Sequence, residues 1–445
     1  MKGIVPAVGL GIAVFLAQPA WGQTSSTTGS ALDQRVAALE KELDDLKTAQ
    51  AEATGEAKQP NNLRAFWDKG LRFETADKSF SLKVGGRINW DVGFIDQDKA
   101  NKKKFGDIPD GTEFRRLRLE LSGDIYKSAY YAFQVDFGSG TTALKDVLMG
   151  VRNIPLLGNV QAGHFYEEFS LEQLTSDKYD LFVEYSLPSQ ALTPQRNAGI
   201  EFFNTVFQDR MRYALGVFRE TDDSGTELAS SGYAVTGRVS GLPWMTADGK
   251  GYLHLGGAWS HREPPGDSVS FSTFPEWHQS SKKFVSTGTI KNADTVDDFG
   301  VEAALVYGPF CVQAEAMDTE VSRDSGGGND ASFNGWYVQG GWFVTGGNRV
   351  YDKRMGVFTR PNITKNFDWK AGTYGAWEVV GRYSELDLND SGAKIAGGSE
   401  SDTTLGVNWY LNPNMRVMFN WIHAMTDKPD NGDADIFLSR FQVDF

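Results

Sequence analysis

The chain has 445 residues, 13% of them aromatic, with 49 glycines against 15 prolines, a mixture that suits many strands and turns better than packed helical domains. Its formal net charge of −14 argues against nucleic acid as a partner, since that requires a basic face. One cysteine, Cys311, excludes an intrachain disulfide framework and a cysteine-based zinc site, and no cofactor or metal is expected.

In chain order, Lys2 precedes the apolar run Val8 to Ala17, and Ala20-Trp21-Gly22 supplies a small-x-small cleavage pattern. Residues 1–22 therefore read as a cleaved secretory signal, the run being too short to span a bilayer as a helix. Residues 23–62 read as a spacer. Within it Leu32, Val36, Leu39, Leu43 and Leu46 follow the 4-3-4-3 rhythm of a coiled coil over 31–47. Two heptads are marginal in water, so such a helix needs copies already held close by something else. Ala49 to Asn62, with Gly55 and Pro60, reads as a linker.

From Leu71 the pattern becomes alternation, and 63–445 reads as one barrel. Phe80, Leu82, Val84, Ile88 and Trp90 share one face against Lys83, Arg87, Asn89 and Asp91. Sixteen strands follow, near 80–91, 114–121, 130–137, 147–152, 160–165, 199–203, 210–218, 233–239, 251–259, 299–307, 310–317, 333–344, 376–384, 403–410, 415–423 and 436–445. A soluble sandwich would alternate too. Mid-strand charges (Arg116, Arg118, Glu120, Glu378, Arg382) fit a wet lumen, and aromatics at strand ends (Trp90, Tyr131, Trp259, Trp342, Trp409, Trp421) fit the girdles of a lipid-facing barrel. The expected fold is all-β, a sixteen-stranded antiparallel transmembrane barrel behind a short coiled-coil helix. An even count leaves both ends on the periplasmic side, with Gly308-Pro309 as a short periplasmic turn and His261 to Asp297 as a long external loop. On that count Thr345 to Tyr374 is an anomalously long periplasmic segment.

The final strand places Phe437, Phe441, Val443 and Phe445 on one face and Arg440, Gln442 and Asp444 on the other. Its terminal Phe445 resembles the signal read by the outer-membrane barrel assembly machinery, which makes that machinery and outer-membrane lipids expected partners. On this register the lumen carries Lys83, Arg87, Arg116, Arg118, Arg152, Arg210, Arg212, Arg238, Arg382, Arg416 and Arg440. It also carries Asp91, Glu120, Asp136, Glu201, Glu302, Glu315, Glu378 and Asp444. Eleven bases against eight acids put a positive lining inside an acidic chain, and a narrow low-dielectric passage focuses such a field.

Several stretches resemble the phosphate-selective porin family, the O and P porins. They are Phe114-Arg115-Arg116, Phe165 to Lys178, Phe333 to Thr345, Gly375-Ala376-Trp377-Glu378, Leu405 to Pro413 and Arg440 to Phe445. The resemblance implies homotrimers of sixteen-stranded barrels, each folding a third external loop, here about 166–198, inward as a constriction. It implies an outer-membrane channel for small anionic solutes, with phosphate or polyphosphate as candidates. Lys178 matches a loop lysine of phosphate-selective members, Arg115 and Arg116 match paired arginines, and Asp136 matches a carboxylate beside the constriction. Gln173 stands where those members carry a second lysine, and Glu167 and Glu168 make the loop's start more acidic. Arg87, Arg118 and Arg382 join the expected anion pathway from the register alone. A general, non-selective pore and a structural envelope protein anchored by its barrel stay open as alternatives. An enzyme is not expected. The only histidines are His164, His254, His261, His278 and His423, none in a catalytic or metal-ligand motif, and G-x-S-x-G is absent.

Overall fold

A computed structural model describes residues 35–36, 38–47, 62–230, 232–280, 282–427 and 432–445. The expected signal segment and Leu32 lie outside the described residues. Val36, Leu39, Leu43 and Leu46 sit on a short helix and are exposed, at 48% to 62%. A helix is present there; a coiled coil of several copies is an assembly question taken up below.

From Leu63 the chain forms one compact unit. Its sixteen barrel strands are β1 (Ser81–Gln97), β2 (Gly111–Ile125), β3 (Ala129–Asp136), β4 (Ala143–Ile154), β5 (Gly158–Tyr166), β6 (Arg196–Val206), β7 (Met211–Arg219) and β8 (Tyr233–Met245). They continue as β9 (Gly251–Arg262), β10 (Ala293–Tyr307), β11 (Phe310–Arg323), β12 (Ala331–Phe343), β13 (Ala376–Asp390), β14 (Ile395–Asn412), β15 (Met415–Thr426) and β16 (Gly432–Asp444). Each pairs antiparallel with the next, and β16 pairs with β1 to close the cylinder. A leading hairpin, Leu63–Trp67 and Leu71–Thr75, extends the sheet at the start of β1.

The alternation works as expected. On β15, Met415 and Phe419 face outward at 43% and 45% exposure, while Arg416 between them is 2% exposed in the lumen. Closure gives each of the sixteen barrel strands a neighbour on both sides, so the cylinder itself has no edge strand. Several strands run further than the apolar alternation. β1 reaches Gln97, β11 reaches Arg323 and β13 reaches Asp390. In these extensions the outward positions carry Asp96, Glu320 and Asp387. Pairing needs only a partner backbone, so the ladder continues after the side chains have left the apolar belt. Arg210 corrects the expected lining, because it sits in the turn after β6 and is exposed.

The seam is held at both levels of structure. Arg440 lies opposite Asp91 and grips its carboxylate with two hydrogen bonds, Nε to Oδ1 at 2.7 Å and Nη2 to Oδ2 at 2.6 Å. Phe445 exchanges main-chain bonds of 2.9 and 3.1 Å with Gly86. A Cβ at Gly86 would stand 2.5 Å from the Arg118 carbonyl oxygen and 2.8 Å from the Phe445 ring, so glycine is required beside the seam. Deleting Phe445 is expected to lower the temperature at which the barrel unfolds on heat-modifiability gels, because two seam bonds and one ring are lost. An unchanged transition would mean that the seam closes without it.

The segment Thr345 to Tyr374 divides in two: residues 364–374, with the small hairpin of Phe367–Asp368 and Thr373–Tyr374, stay largely exposed, and the part before them turns inward. It forms a hairpin, Gly347–Asp352 with Val357–Ile363, whose residues bond to lumen-facing side chains. Arg349 holds Glu378 on β13 at 3.1 and 2.9 Å, Tyr351 Oη meets His254 Nδ1 at 2.6 Å, and the Gly356 carbonyl accepts from Arg238 at 2.9 Å. This segment, entering from the end that bears Phe445, therefore fills part of the bore. Its side chains are buried accordingly: Arg349, Val357 and Phe358 are all under 10% exposed.

Candidate functional site

The third link at the far end, residues 167–195, packs against lumen-facing side chains. Phe169, Leu171 and Leu187 are fully buried, which a surface loop would not allow. Its backbone is held by the wall. Leu171 and Glu172 N–H groups donate to the Glu315 carboxylate at 3.0 and 2.7 Å. The Val183 N–H donates to Asn420, Gln442 donates to the Lys178 carbonyl at 3.0 Å, and Arg416 donates to the Asp177 carbonyl at 3.1 Å. Anchors on β11 and on β14 to β16 make the loop a fixed partition across the bore.

Where this partition meets β1, β2 and β3, charged side chains converge. Arg87, Arg116 and Arg118 project from adjacent strands, Arg87 being opposite Arg118 in the register. All three form ion pairs with one loop carboxylate, Asp177; the Arg118 pair measures 3.3 Å. Arg118 Nε also donates to Asp136 at 2.6 Å, and Arg87 Nε donates to Glu120 at 3.0 Å. Lys178 Nζ donates to the other Glu120 oxygen at 2.8 Å. A cavity of ≈120 Å³ lies here, bounded by Arg87, Arg116, Arg118, Gln173, Asp177 and Arg196 among others. Further along the same wall, towards Phe445, a larger space of ≈680 Å³ is lined by Arg72, Lys83, Arg152 and Arg354, with Asp124 and Asp209.

The expected site residues thus separate into groups. Arg87, Arg116, Arg118, Asp136 and Lys178 come together, and Gln173 borders the same cavity. Gln173 is nearly fully buried and donates to Thr193 at 2.7 Å, so it serves as a loop brace. Lys178 does not project freely into a passage; it is bound to Glu120. Burial and the neighbouring Arg87 lower its pKa, and Glu120 opposes that shift. Arg115 faces inward despite standing next to inward-facing Arg116, because a bulge between β1 and β2 admits one extra residue. It forms a bidentate pair with Glu184 at 2.9 and 3.1 Å. Burial pushes the Glu184 carboxyl up, but Arg115, Arg116 and Arg440 outweigh it and hold the group well below the usual carboxylate range. Arg382 lies elsewhere, on β13, paired with Glu172 and with Glu276 from the 263–292 link.

Residues that sequence reasoning did not single out carry much of the site. Asp177 and Glu184 sit in the loop, and the Arg196–Asp146 pair closes the cavity wall at 2.9 and 3.2 Å. Loop carboxylates answer most wall arginines, so the lining's positive excess is largely spent on internal pairs. Burying so many charges is tolerable because most of them find an opposite partner. The donors left over are informative. Arg116 Nε and Nη1 are buried and have no hydrogen-bond partner, since the Asp177 carboxylate lies close but poorly aligned.

A closed sixteen-stranded barrel with an aromatic-bearing apolar exterior and a lumen narrowed by an inward loop is a porin, a water-filled channel through the outer membrane. The sequence comparison is specific. The model for phosphate-selective porin O and P matches residues 82–445, and the chain belongs to that family. Porin O of Pseudomonas aeruginosa is 27% identical over 417 residues, covering 84% of this chain and 91% of that protein. An uncharacterised protein of Caulobacter vibrioides is 28% identical over 400 residues, covering 85% and 76% respectively. Among solved structures, the anion-selective porin from Comamonas acidovorans aligns with a TM-score of 0.55 at 14% identity, over 82% of this chain and all of that one. Salmonella typhi OmpF in complex with daunomycin aligns at 0.53 and 12% identity, over 86% and 100%. Family and fold are those of a channel rather than an enzyme.

Proposed function

We propose that this porin is a diffusion channel for small anions and that its narrow region selects oxyanions of the phosphate class. The observation that carries the reading is the convergence of Arg87, Arg116 and Arg118 beside a small cavity, with buried Arg116 N–H groups ion-paired to Asp177 but left without aligned hydrogen bonds. Guanidinium groups present paired donors in a planar fork, the geometry that grips phosphate oxygens. The family's description, phosphate-selective, supports the same class of solute. The extensive internal pairing favours a weaker second reading, a general pore whose arginines only brace the wall.

The reading extends to assembly. Residues 1–22 are removed on export, Phe445 contributes to recognition by the assembly machinery, and three barrels associate in the lipid. The helix around Val36 to Leu46 joins its copies there as a short coil, the barrels supplying the proximity that two heptads lack. Ion selectivity of the purified protein in a planar bilayer tests the channel reading. Under a KCl gradient the reversal potential should indicate chloride over potassium, and added phosphate should reduce the chloride current. A cation preference with no response to phosphate would leave only the general pore.

A further inference from the structure

We infer that Asp177 is a tethered anion, whose carboxylate occupies the arginine seat of the resting pore and which a permeating oxyanion must displace. This rests on the anion-channel reading above and goes beyond it by naming what stands in the way. Asp177 is the one residue that pairs with all three of Arg87, Arg116 and Arg118 among the described ion pairs. A carboxylate presents two oxygens in one plane, and it leaves Arg116 Nε and Nη1 and its own Oδ1 without hydrogen bonds. A tetrahedral oxyanion spreads its oxygens in three dimensions, so it can satisfy three arginines on two adjacent strands at once. The seat is filled electrostatically but poorly matched in shape.

Displacement needs little movement. The Asp177 carbonyl is held by Arg416 at 3.1 Å, so the loop backbone can stay in place while the side chain turns towards the adjoining ≈120 Å³ cavity. Charge then sets a preference by valence. Arg87, Arg116, Arg118 and Lys178 face Glu120, Asp136 and Asp177, four cationic groups against three anionic ones. With Asp177 swung aside the cluster carries two positive charges in excess. A dianion neutralises it, whereas a monoanion only replaces the carboxylate it expelled. The tethered group thereby favours dianionic oxyanions over halide in competition for the seat.

The test compares phosphate block of chloride current, at about pH 8 where the dianion predominates, in the parent, Asp177→Asn and Glu120→Gln. Both variants remove one negative charge from the cluster, but only the first removes the occupant. We expect the half-blocking phosphate concentration to fall roughly tenfold in Asp177→Asn and less than about threefold in Glu120→Gln. Asp177→Asn should also pass more chloride at low salt, and Asp177→Glu should block as the parent does. Equal shifts in the two neutralised variants would reduce Asp177 to one charge among several and overturn the inference, as would no shift at all. If Asp177→Asn fails to assemble, Asp177→Ser makes the same comparison. A parent that prefers potassium and ignores phosphate would overturn the anion-channel reading itself. An anion-selective parent with an unaltered Asp177→Asn would overturn only the tethered-anion inference.

Discussion

Replacing residues 347–363 by a short Gly/Ser linker is expected to raise single-pore conductance severalfold and to weaken ion selectivity. The hairpin fills bore that the barrel alone would leave open, and it supports the constriction loop from the other side. Phe358 N–H donates to Thr175 Oγ1 at 3.4 Å, Arg349 donates to the Tyr179 carbonyl, and Val357 and Phe358 pack with Leu171, Leu181 and Phe182. Without this support the loop loses its floor and the passage widens. Fixed charges act on a passing ion only within about a Debye length, roughly 10 Å at 0.1 M salt, so a wider passage discriminates less.

The variant has to respect two buried charges, because Asp444, 3% exposed, loses Arg360 as Glu378 loses Arg349. Glu378 is 0% exposed and loses Arg349 with the hairpin, keeping only Tyr410 Oη at 2.9 Å and Asn408 at 3.1 Å. An orphaned buried carboxylate costs about 3–5 kcal/mol. The replacement should therefore be made together with Glu378→Gln and Asp444→Asn. Arg349→Gln by itself, in an otherwise complete chain, should destabilise the barrel by a similar amount. A linker variant with parental conductance would show that the 167–195 loop sets the constriction without help.

Lys178→Glu is expected to move the reversal potential from the chloride side to the potassium side. In the parent, Lys178 neutralises Glu120 at 2.8 Å, and Glu120 is shared with Arg87. The substitution removes one cation and adds one anion, setting two carboxylates side by side at the edge of the arginine seat. A unit charge pair at 4 Å is worth on the order of 1 to 4 kcal/mol between bulk water and a protein-surface dielectric. Across the cluster this turns a net positive constriction into a negative one. The effect exceeds that of losing one free lysine, because Glu120 is released as well. Planar-bilayer reversal potentials measure it directly. A variant that stays anion-selective to the same degree would place the selecting step elsewhere in the lumen.

Much of the architecture was legible because two-residue periodicity is a direct consequence of strand geometry. Each of the sixteen expected strands corresponds to one of β1 to β16, with Trp90, Trp259 and Trp342 outward and Arg116, Arg382 and Arg416 inward. The errors have local causes. Arg210 was misplaced because a turn at 207–210 interrupts the alternation. Arg115 follows no alternation because a bulge adds one residue. The hairpin in 345–374 could be recognised as anomalous by its length, but nothing in its spacing indicated that it turns into the barrel.

The sequence by itself determined the closed barrel, its strand count and which wall residues face the lumen, because alternation and ladder pairing act between neighbours. Tertiary structure alone decided what those lumen charges do. Arg87 and Asp177 are far apart in the chain, as are Arg349 and Glu378, and no local pattern couples them. They meet because two links fold into a bore too narrow to hydrate many charges separately. Each charge must then find an opposite partner or accept a severe loss of solvation. That requirement binds Lys178 to Glu120, commits Arg382 to Glu172 and Glu276, and leaves Arg116 with two unmatched donors beside the Asp177 carboxylate.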